Sequence, residues 1–259
     1  MDNQAVLYEE LGDHIALVTL NRPEKRNAVN GDVSRGMDAA VKRSEADPNI
    51  RAVILTSSLP GTFCAGADLA EVSAGNSAAL YTNDGGFGGF VNALRMKPWI
   101  AAARGNVLAG GCEFCLACDM IIAGDDAKFG LPEVKRSLVA GAGGVTRLAK
   151  VIPRAIALEI IATGDPIDAR RAYEVGLVNR VVPADQVVEA AKALARAITV
   201  NAPMAVYEAI NVAKKAMVLS DEDGDRLARE ALNRIRKTDD FKEGPRAFVE
   251  KRAPVWKGA

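Results

Sequence analysis

The spacing of apolar and polar positions divides the chain into an early part that alternates strand and helix signals and a late part that is mostly helical. Residues 5–11 and 14–20 are β-rich apolar segments joined by the turn pair Gly12-Asp13, which predicts a hairpin with His14 on its surface. From 30 to 46 apolar residues recur at helical spacing, with Val33, Met37, Ala40 and Val41 on one side. Residues 52–56, 99–103, 119–123, 128–130 and 178–182 read as further strands. Between them, 59–69 reads as a loop and 75–89 as a glycine-rich, mobile loop. A short helix is expected after the glycines at 110 and 111. Downstream, 143–151, 154–163 and 168–173 read as short helices, and 185–199, 203–218, 221–237 and 242–251 as longer ones with polar faces. The order favours an α/β core followed by a helical layer. The boundary is expected near residue 195, giving a core of 1–195 and a C-terminal region of 196–259.

Composition narrows the function. The chain has 259 residues, 49% of them apolar, which suffices for a sizeable core. Only 5% are aromatic, so backbones are expected to pack closely. Lys plus Arg and Asp plus Glu number 33 each, which is not the balance of a general nucleic-acid binder. A small anionic ligand needs only a local basic patch. No uncharged apolar run approaches the roughly 20 residues of a membrane span. The start carries Asp2, Glu9, Glu10 and Asp13 in place of a basic, apolar leader, so a cytoplasmic protein without membrane partners is expected.

Cys112, Cys115 and Cys118 form C-x2-C-x2-C, with Cys64 far upstream. The spacing is superficially that of an iron–sulfur run, but it lacks the fourth Cys-Pro element, and His14 is the only histidine. Buried cysteine also behaves as a small hydrophobe, and this spacing puts the three on one side of a short helix. Core packing is the favoured reading, and no metal site is expected.

Two glycine-rich turns follow strands: Cys-Ala-Gly-Ala-Asp at 64–68 and Ala-Gly-Gly-Cys-Glu at 109–113. Glycine lets a backbone approach a ligand closely. The second turn opens a helix, whose free N–H groups and dipole suit a developing negative charge on oxygen. Ordinary turns would show the same pattern. Glu113 lies within an apolar run, where a carboxylate either complements the helix dipole or serves a chemical purpose. Glu133 follows Pro132 among apolar neighbours and reads either as a surface carboxylate at a helix start or as a second functional acid. Two carboxylates in apolar surroundings can be split into an acid and a base. A phosphate-binding loop and a complete dinucleotide fingerprint are both missing, and His14 is poorly placed for a Ser-His-Asp triad.

Taken together, these motifs resemble those of the crotonase, or enoyl-CoA hydratase, superfamily. The resemblance spans essentially the whole chain. It includes Leu-Asn-Arg-Pro-Glu-Lys-Arg-Asn-Ala-Val at 20–29, Phe-Cys-Ala-Gly-Ala-Asp-Leu at 63–69, Gly-Gly-Cys-Glu-Phe-Cys-Leu-Ala-Cys-Asp at 110–119 and Phe-Gly-Leu-Pro-Glu at 129–133. Gly-Ala-Gly-Gly at 141–144 and Arg-Arg-Ala-Tyr-Glu-Val-Gly-Leu-Val at 170–178 extend it.

The resemblance implies an α/β, ClpP-like spiral of ββα units with a C-terminal helical trimerisation region, assembling as a homotrimer or a dimer of trimers. It implies that the amides of Ala67 and Gly110 hold a thioester oxygen, and that Glu113 and Glu133 carry hydration or dehydration. Glu133 would exchange the proton at Cα while Glu113 activates water. Lys25, Arg26 and Ala28 match the loop beside coenzyme A, Ala65, Asp68 and Leu69 flank the first oxyanion turn, and Gly141 matches a glycine near the water. The basic stretch at 248–252 is similar to one that reaches a neighbouring subunit's site. Coenzyme A is then part of the substrate, and no separate cofactor is expected. A double-bond isomerase and a non-catalytic CoA-ester-binding scaffold are the alternatives. The chain departs from the family in having Ala109 where glycine is common and Ser137–Ala140 where many hydratases carry Ile-Pro. Its ending is similar to that of carnitinyl-CoA dehydratases, for which Tyr81, Phe87, Phe90 and Asp84 are the candidates to receive a quaternary ammonium.

Overall fold

The computed structural model describes residues 4–258, in which the early strands and late helices follow the expected order. Strands β1 (Val6–Gly12) and β2 (Ile15–Leu20) make the N-terminal hairpin. His14 sits in its turn, with φ of 64°, and not in the strand, because three consecutive positive-φ residues from Gly12 reverse the chain. In helix α1 (Gly31–Ala46) the Asn30 side chain accepts from the Val33 N–H, and Val33, Met37, Ala40 and Val41 are all buried.

The chain then winds through one scheme three times. Each turn of the spiral lays a strand in a large sheet, a shorter strand in a small sheet, and then enters a helix. The first turn holds β3 (Ala52–Ser57), β4 (Thr62–Cys64) and α2 (Leu69–Ser73). A two-stranded ribbon, β5 (Tyr81–Thr82) and β6 (Gly86–Phe87), precedes the second. That turn holds β7 (Trp99–Ala103), β8 (Asn106–Leu108) and α3 (Gly110–Ala117). The third holds β9 (Met120–Gly124), β10 (Lys128–Gly130) and α4 (Gly144–Val151). The remaining elements are α5 (Arg154–Thr163), β11 (Ile167–Asp168), α6 (Ala169–Glu174), β12 (Arg180–Val182), α7 (Val187–Thr199), α8 (Pro203–Ala216), α9 (Asp221–Ile235) and α10 (Asp239–Glu250).

The large sheet runs β1-β2-β3-β7-β9-β12 and is parallel except at the hairpin. The small sheet runs β11-β10-β8-β4 and is parallel except at β10–β11. This is the spiral of ββα units that the motifs imply. Side-chain alternation splits the large sheet between two cores. Val53, Leu55, Trp99, Ala101, Ala103, Ile121 and Ala123 face the main core under the small sheet. Ile54, Ile100 and Ile122 face the other way, onto Val187, Ala191 and Ala195 of α7.

Two loop expectations need correction. The stretch 59–69 contains β4, and β8 lies just before α3; three-residue strands among glycines are too short to show a period. Residues 75–89 are folded. Leu80 and Phe87 are buried, and Lys42 on α1 pairs with Asp38 at 2.8 Å and with Asp84 at 2.9 Å, anchoring the ribbon. The glycines there serve tight turns, not mobility.

All four cysteines are free; Cys64, Cys112 and Cys115 are buried in the core. Burial pushes the Cys64 and Cys118 thiols up to about 12, which suits packing and not reactivity. Arg234 on α9 grips the Glu208 carboxylate of α8 at 2.6 and 2.8 Å, and Lys214 pairs with Asp119 at the start of β9. Arg51 donates to the carbonyls of Thr199 and Trp256, tying the C-terminal segment to the core. Among the described residues no helix is long and apolar enough to cross a membrane.

Candidate active site

The site begins with a buried asparagine. Asn27 is fully buried with φ of 55°, a conformation asparagine tolerates better than most residues. Its side-chain Oδ1 accepts from the Arg22 N–H at 2.7 Å, and its Nδ2 donates to Ser57 Oγ at 2.7 Å and the Phe63 carbonyl at 3.0 Å. These bonds lock the 22–29 loop to the strand that precedes the first glycine turn. The Ala65 N–H donates to the Arg26 carbonyl, and Val29 bridges Ala67. Arg22 completes the clamp, donating to Asp68 at 2.6 Å and to the Ala28 carbonyl at 3.0 Å. The Asp68 carboxylate also caps α2 through the Ala70 N–H, and Arg22 and these amides hold it below the ordinary aspartate range against the opposing effect of burial. Asn27→Ala is expected to destabilise the protein by about 2–3 kcal/mol, since buried partners lose their hydrogen bonds. Urea denaturation measures this, and a midpoint equal to wild type would show that the network does not hold the loop.

The two glycine turns meet. Gly66 has φ of 97°, and a Cβ there would stand 2.6 Å from the Ala109 Cβ and 3.0 Å from the Gly110 nitrogen. Only a residue without a side chain lets the Gly110 amide lie beside the first turn. Among the described residues, the amides of Ala67 and Gly110 have no backbone acceptor. Ala109, which replaces the expected glycine, sits at φ 51° and ψ −124°, a strained conformation for alanine at the entrance to α3.

Glu113 lies one turn into α3 from Gly110, so the amide and the carboxylate share a face. It is 3% exposed, and its Oε1 accepts from the Gly144 N–H at 2.9 Å. Burial pushes its pKa up to about 7, opposed by the Gly144 amide and reinforced by the negative charge of Glu133. Glu133 stands in a 3-10 turn (Pro132–Arg136), where burial raises its pKa while Arg136 pulls it down. Its Oε2 is buried and meets no hydrogen-bond partner among the described residues. Gly144 is needed for this packing: a Cβ there would lie 2.8 Å from Ala140, 2.9 Å from Leu131 and 3.0 Å from Glu113 Oε1.

Of the other expected residues, Lys25, Arg26, Ala65 and Leu69 are exposed along the rim formed by the two joined loops, and Ala28 is half-buried beneath them. Gly141 is exposed at the mouth of the turn that ends in Gly144, with room for a side chain. In the basic stretch at 248–252, Arg252 is held by Glu243 at 2.5 and 2.9 Å. Of the candidates to receive a quaternary ammonium, Tyr81 and Phe87 lie edge-on with ring centroids 5.6 Å apart. Asp84 is paired with Lys42, and the Arg95 guanidinium already lies 3.9 Å over the Phe90 ring. Arg22, Asn27 and Arg147 were not singled out from the sequence as site residues. Asn27 stood in the 20–29 motif, whereas Arg147 acts on backbone carbonyls, which leave no sequence trace.

A family model described as enoyl-CoA hydratase/isomerase matches residues 10–259. The carnitinyl-CoA dehydratase of Proteus mirabilis is 39% identical over 246 residues, covering 93% of this chain and 94% of that one. The crystal structure of an enoyl-CoA hydratase from Mycobacterium tuberculosis H37Rv superposes with a TM-score of 0.94 at 41% identity, over 99% of this chain and 100% of that one. A carnitinyl-CoA hydratase from Mycobacterium avium is 46% identical with a TM-score of 0.79, over 99% of both chains.

Proposed function

The chain belongs to the enoyl-CoA hydratase/isomerase family, and from that premise we propose that it adds water reversibly across the α,β double bond of an enoyl-CoA thioester. The observation that carries this reading is the unpartnered, buried Oε2 of Glu133 beside a second raised carboxylate, Glu113. A buried acid oxygen without a partner is costly unless substrate or water completes it.

In the proposed step, Glu113 takes a proton from water while the water oxygen bonds to Cβ. The π electrons move toward the thioester oxygen, which the Ala67 and Gly110 amides receive. Glu133 delivers its proton to Cα. Burial raises both carboxylates and favours their acid forms, and the Gly144 amide opposes this at Glu113, so the pair can divide into an acid and a base. Two coupled carboxylates titrate together, so the assignment describes the pair's working state. Lys25 and Arg26 are proposed to meet the anionic end of coenzyme A, with Ala28, Ala65, Asp68, Leu69 and Gly141 shaping its path. Asp68 contributes mainly by fixing the first turn, since its carboxylate is already engaged.

We extend the proposal to a homotrimer or a dimer of trimers. Val200, Met217, Val218, Phe248 and Val249 are each at least 66% exposed, an apolar surface that favours burial against another copy.

The test is loss of the conjugated enoyl thioester when crotonyl-CoA is offered, with 3-enoyl-CoA and crotonobetainyl-CoA in parallel. Hydration should fall as the pH drops through about 7, where Glu113 takes up its proton and can no longer act as base. Turnover of 3-enoyl-CoA alone would replace hydration by isomerisation, and CoA-ester binding without turnover would leave a scaffold.

A further inference from the structure

We propose that Arg147 is a positioning residue for Glu113: its guanidinium holds the 142–144 turn where the Gly144 amide meets the carboxylate, and sets a positive charge behind it. The inference rests on reading Glu113 as the base.

Arg147 lies on the first turns of α4. Its Nη1 donates to the Ala142 carbonyl at 2.9 Å, and its Nη2 to the Val91 carbonyl at 2.6 Å, with Asn92 Oδ1 at 3.5 Å. One planar group thus joins the segment after β6 to the turn that serves Glu113. A lysine, with a single point charge, could not span both carbonyls in this way. The turn is shaped around the guanidinium. Gly143 has φ of 102°, and a Cβ there would stand 1.8 Å from Arg147 Nη1. The next residue, Gly144, donates its N–H to Glu113 Oε1 at 2.9 Å. Arg147, the Ala142 carbonyl, the Gly144 amide and Glu113 therefore form one mechanical series.

The groups facing Glu113 are few. The Gly144 and Ala142 amides come from the turn, Glu133 from the neighbouring 3-10 turn, and Arg147 from α4. Cys112 adjoins it on α3, with a thiol that burial keeps neutral. Arg147 is the only cation among them. Burial lowers the Arg147 pKa, and the Glu113 carboxylate opposes that shift. Removing the guanidinium leaves Glu113 buried with no facing cation, which favours the protonated, inactive form.

The experiment is the pH dependence of kcat and KM for crotonyl-CoA hydration by wild type, Arg147→Met, Arg147→Lys and Glu113→Gln. Arg147→Met should lose about fivefold in kcat at pH 7, with the acid limb displaced upward by about one pH unit, activity recovering in alkali and KM little changed. Arg147→Lys keeps the charge without the double bridge and should fall between. A uniform loss at every pH with an unmoved limb, or wild-type behaviour, would overturn the proposal. Should Arg147→Met fail to fold, the limb of Arg147→Lys decides in the same sense. Wild-type hydration by Glu113→Gln would instead overturn the base assignment itself, whatever Arg147 does.

Discussion

Glu113→Gln and Glu133→Gln are each expected to lower the turnover of an enoyl-CoA by about 10²–10⁴, the usual size of a general acid–base effect. Glutamine keeps the size of the side chain, and its oxygen can still accept the Gly144 N–H, so the 113 variant should fold with the 142–144 turn in place. What it cannot do is take a proton from water. At position 133, glutamine cannot deliver one to Cα. KM should change much less, because in the proposed mechanism thioester binding rests on the Ala67 and Gly110 amides and the rim. Neither variant should retain the wild-type acid limb near pH 7, since the coupled pair that produces it is broken. The double variant should be hardly slower than the poorer single one, as befits residues that act as a unit. Steady-state kinetics with circular dichroism measures all of this. Wild-type hydration in either single variant would remove that glutamate from the mechanism. If Glu133→Gln abolished 3-enoyl-CoA isomerisation and Glu113→Gln spared it, the isomerase reading would gain.

The glutamates were legible because a charged residue inside an apolar run is unusual enough to require a reason. Glu113 and Glu133 each broke such a run, and both are now found with raised pKa values. The long elements were legible for the opposite cause. Helix α1 repeats one period long enough to be seen, and its expected face is the buried one; strands β3 and β7 are apolar runs buried at every residue. The short strands β4 and β8 were hidden, although they lead into the two glycine turns, because three residues cannot establish alternation. The ribbon at 81–87 was misread as mobile because glycine marks tight turns and slack loops alike. Only the packed Leu80 and Phe87 and the Lys42–Asp84 pair separate the two. Arg147 was illegible in principle. Its partners are backbone carbonyls at 91 and 142, and any residue type offers a carbonyl.

Gly110 should be highly sensitive to a single added methyl group. The first turn of α3 is pressed between the Gly66 turn and the Phe87 ring, and a Cβ at 110 would lie 2.5 Å from Phe87 Cε1 and 3.3 Å from the Gly66 Cα. Phe87 is itself buried, with Tyr81 at 5.6 Å and Phe114 at 6.0 Å between ring centroids, so it has little freedom to withdraw. In Gly110→Ala the helix entrance must therefore move, and the amide moves with it. A misplacement of about 1 Å can cost on the order of 10²-fold in rate. Losing an oxyanion donor outright costs roughly 10²–10³. A loss of kcat in that range is expected, with the Glu113 acid limb unmoved because the carboxylate and the Gly144 amide remain. Relieving the contact provides the control: Phe87→Leu alone should be nearly neutral in rate, and in combination with Gly110→Ala it should restore a substantial part of the lost turnover. Steady-state rates on crotonyl-CoA for the two single variants and the pair complete the cycle. A folded Gly110→Ala protein with near-wild-type turnover would show that this amide does not receive the developing charge, whereas a loss that Phe87→Leu leaves unrepaired would trace the effect to the Gly66 side of the turn.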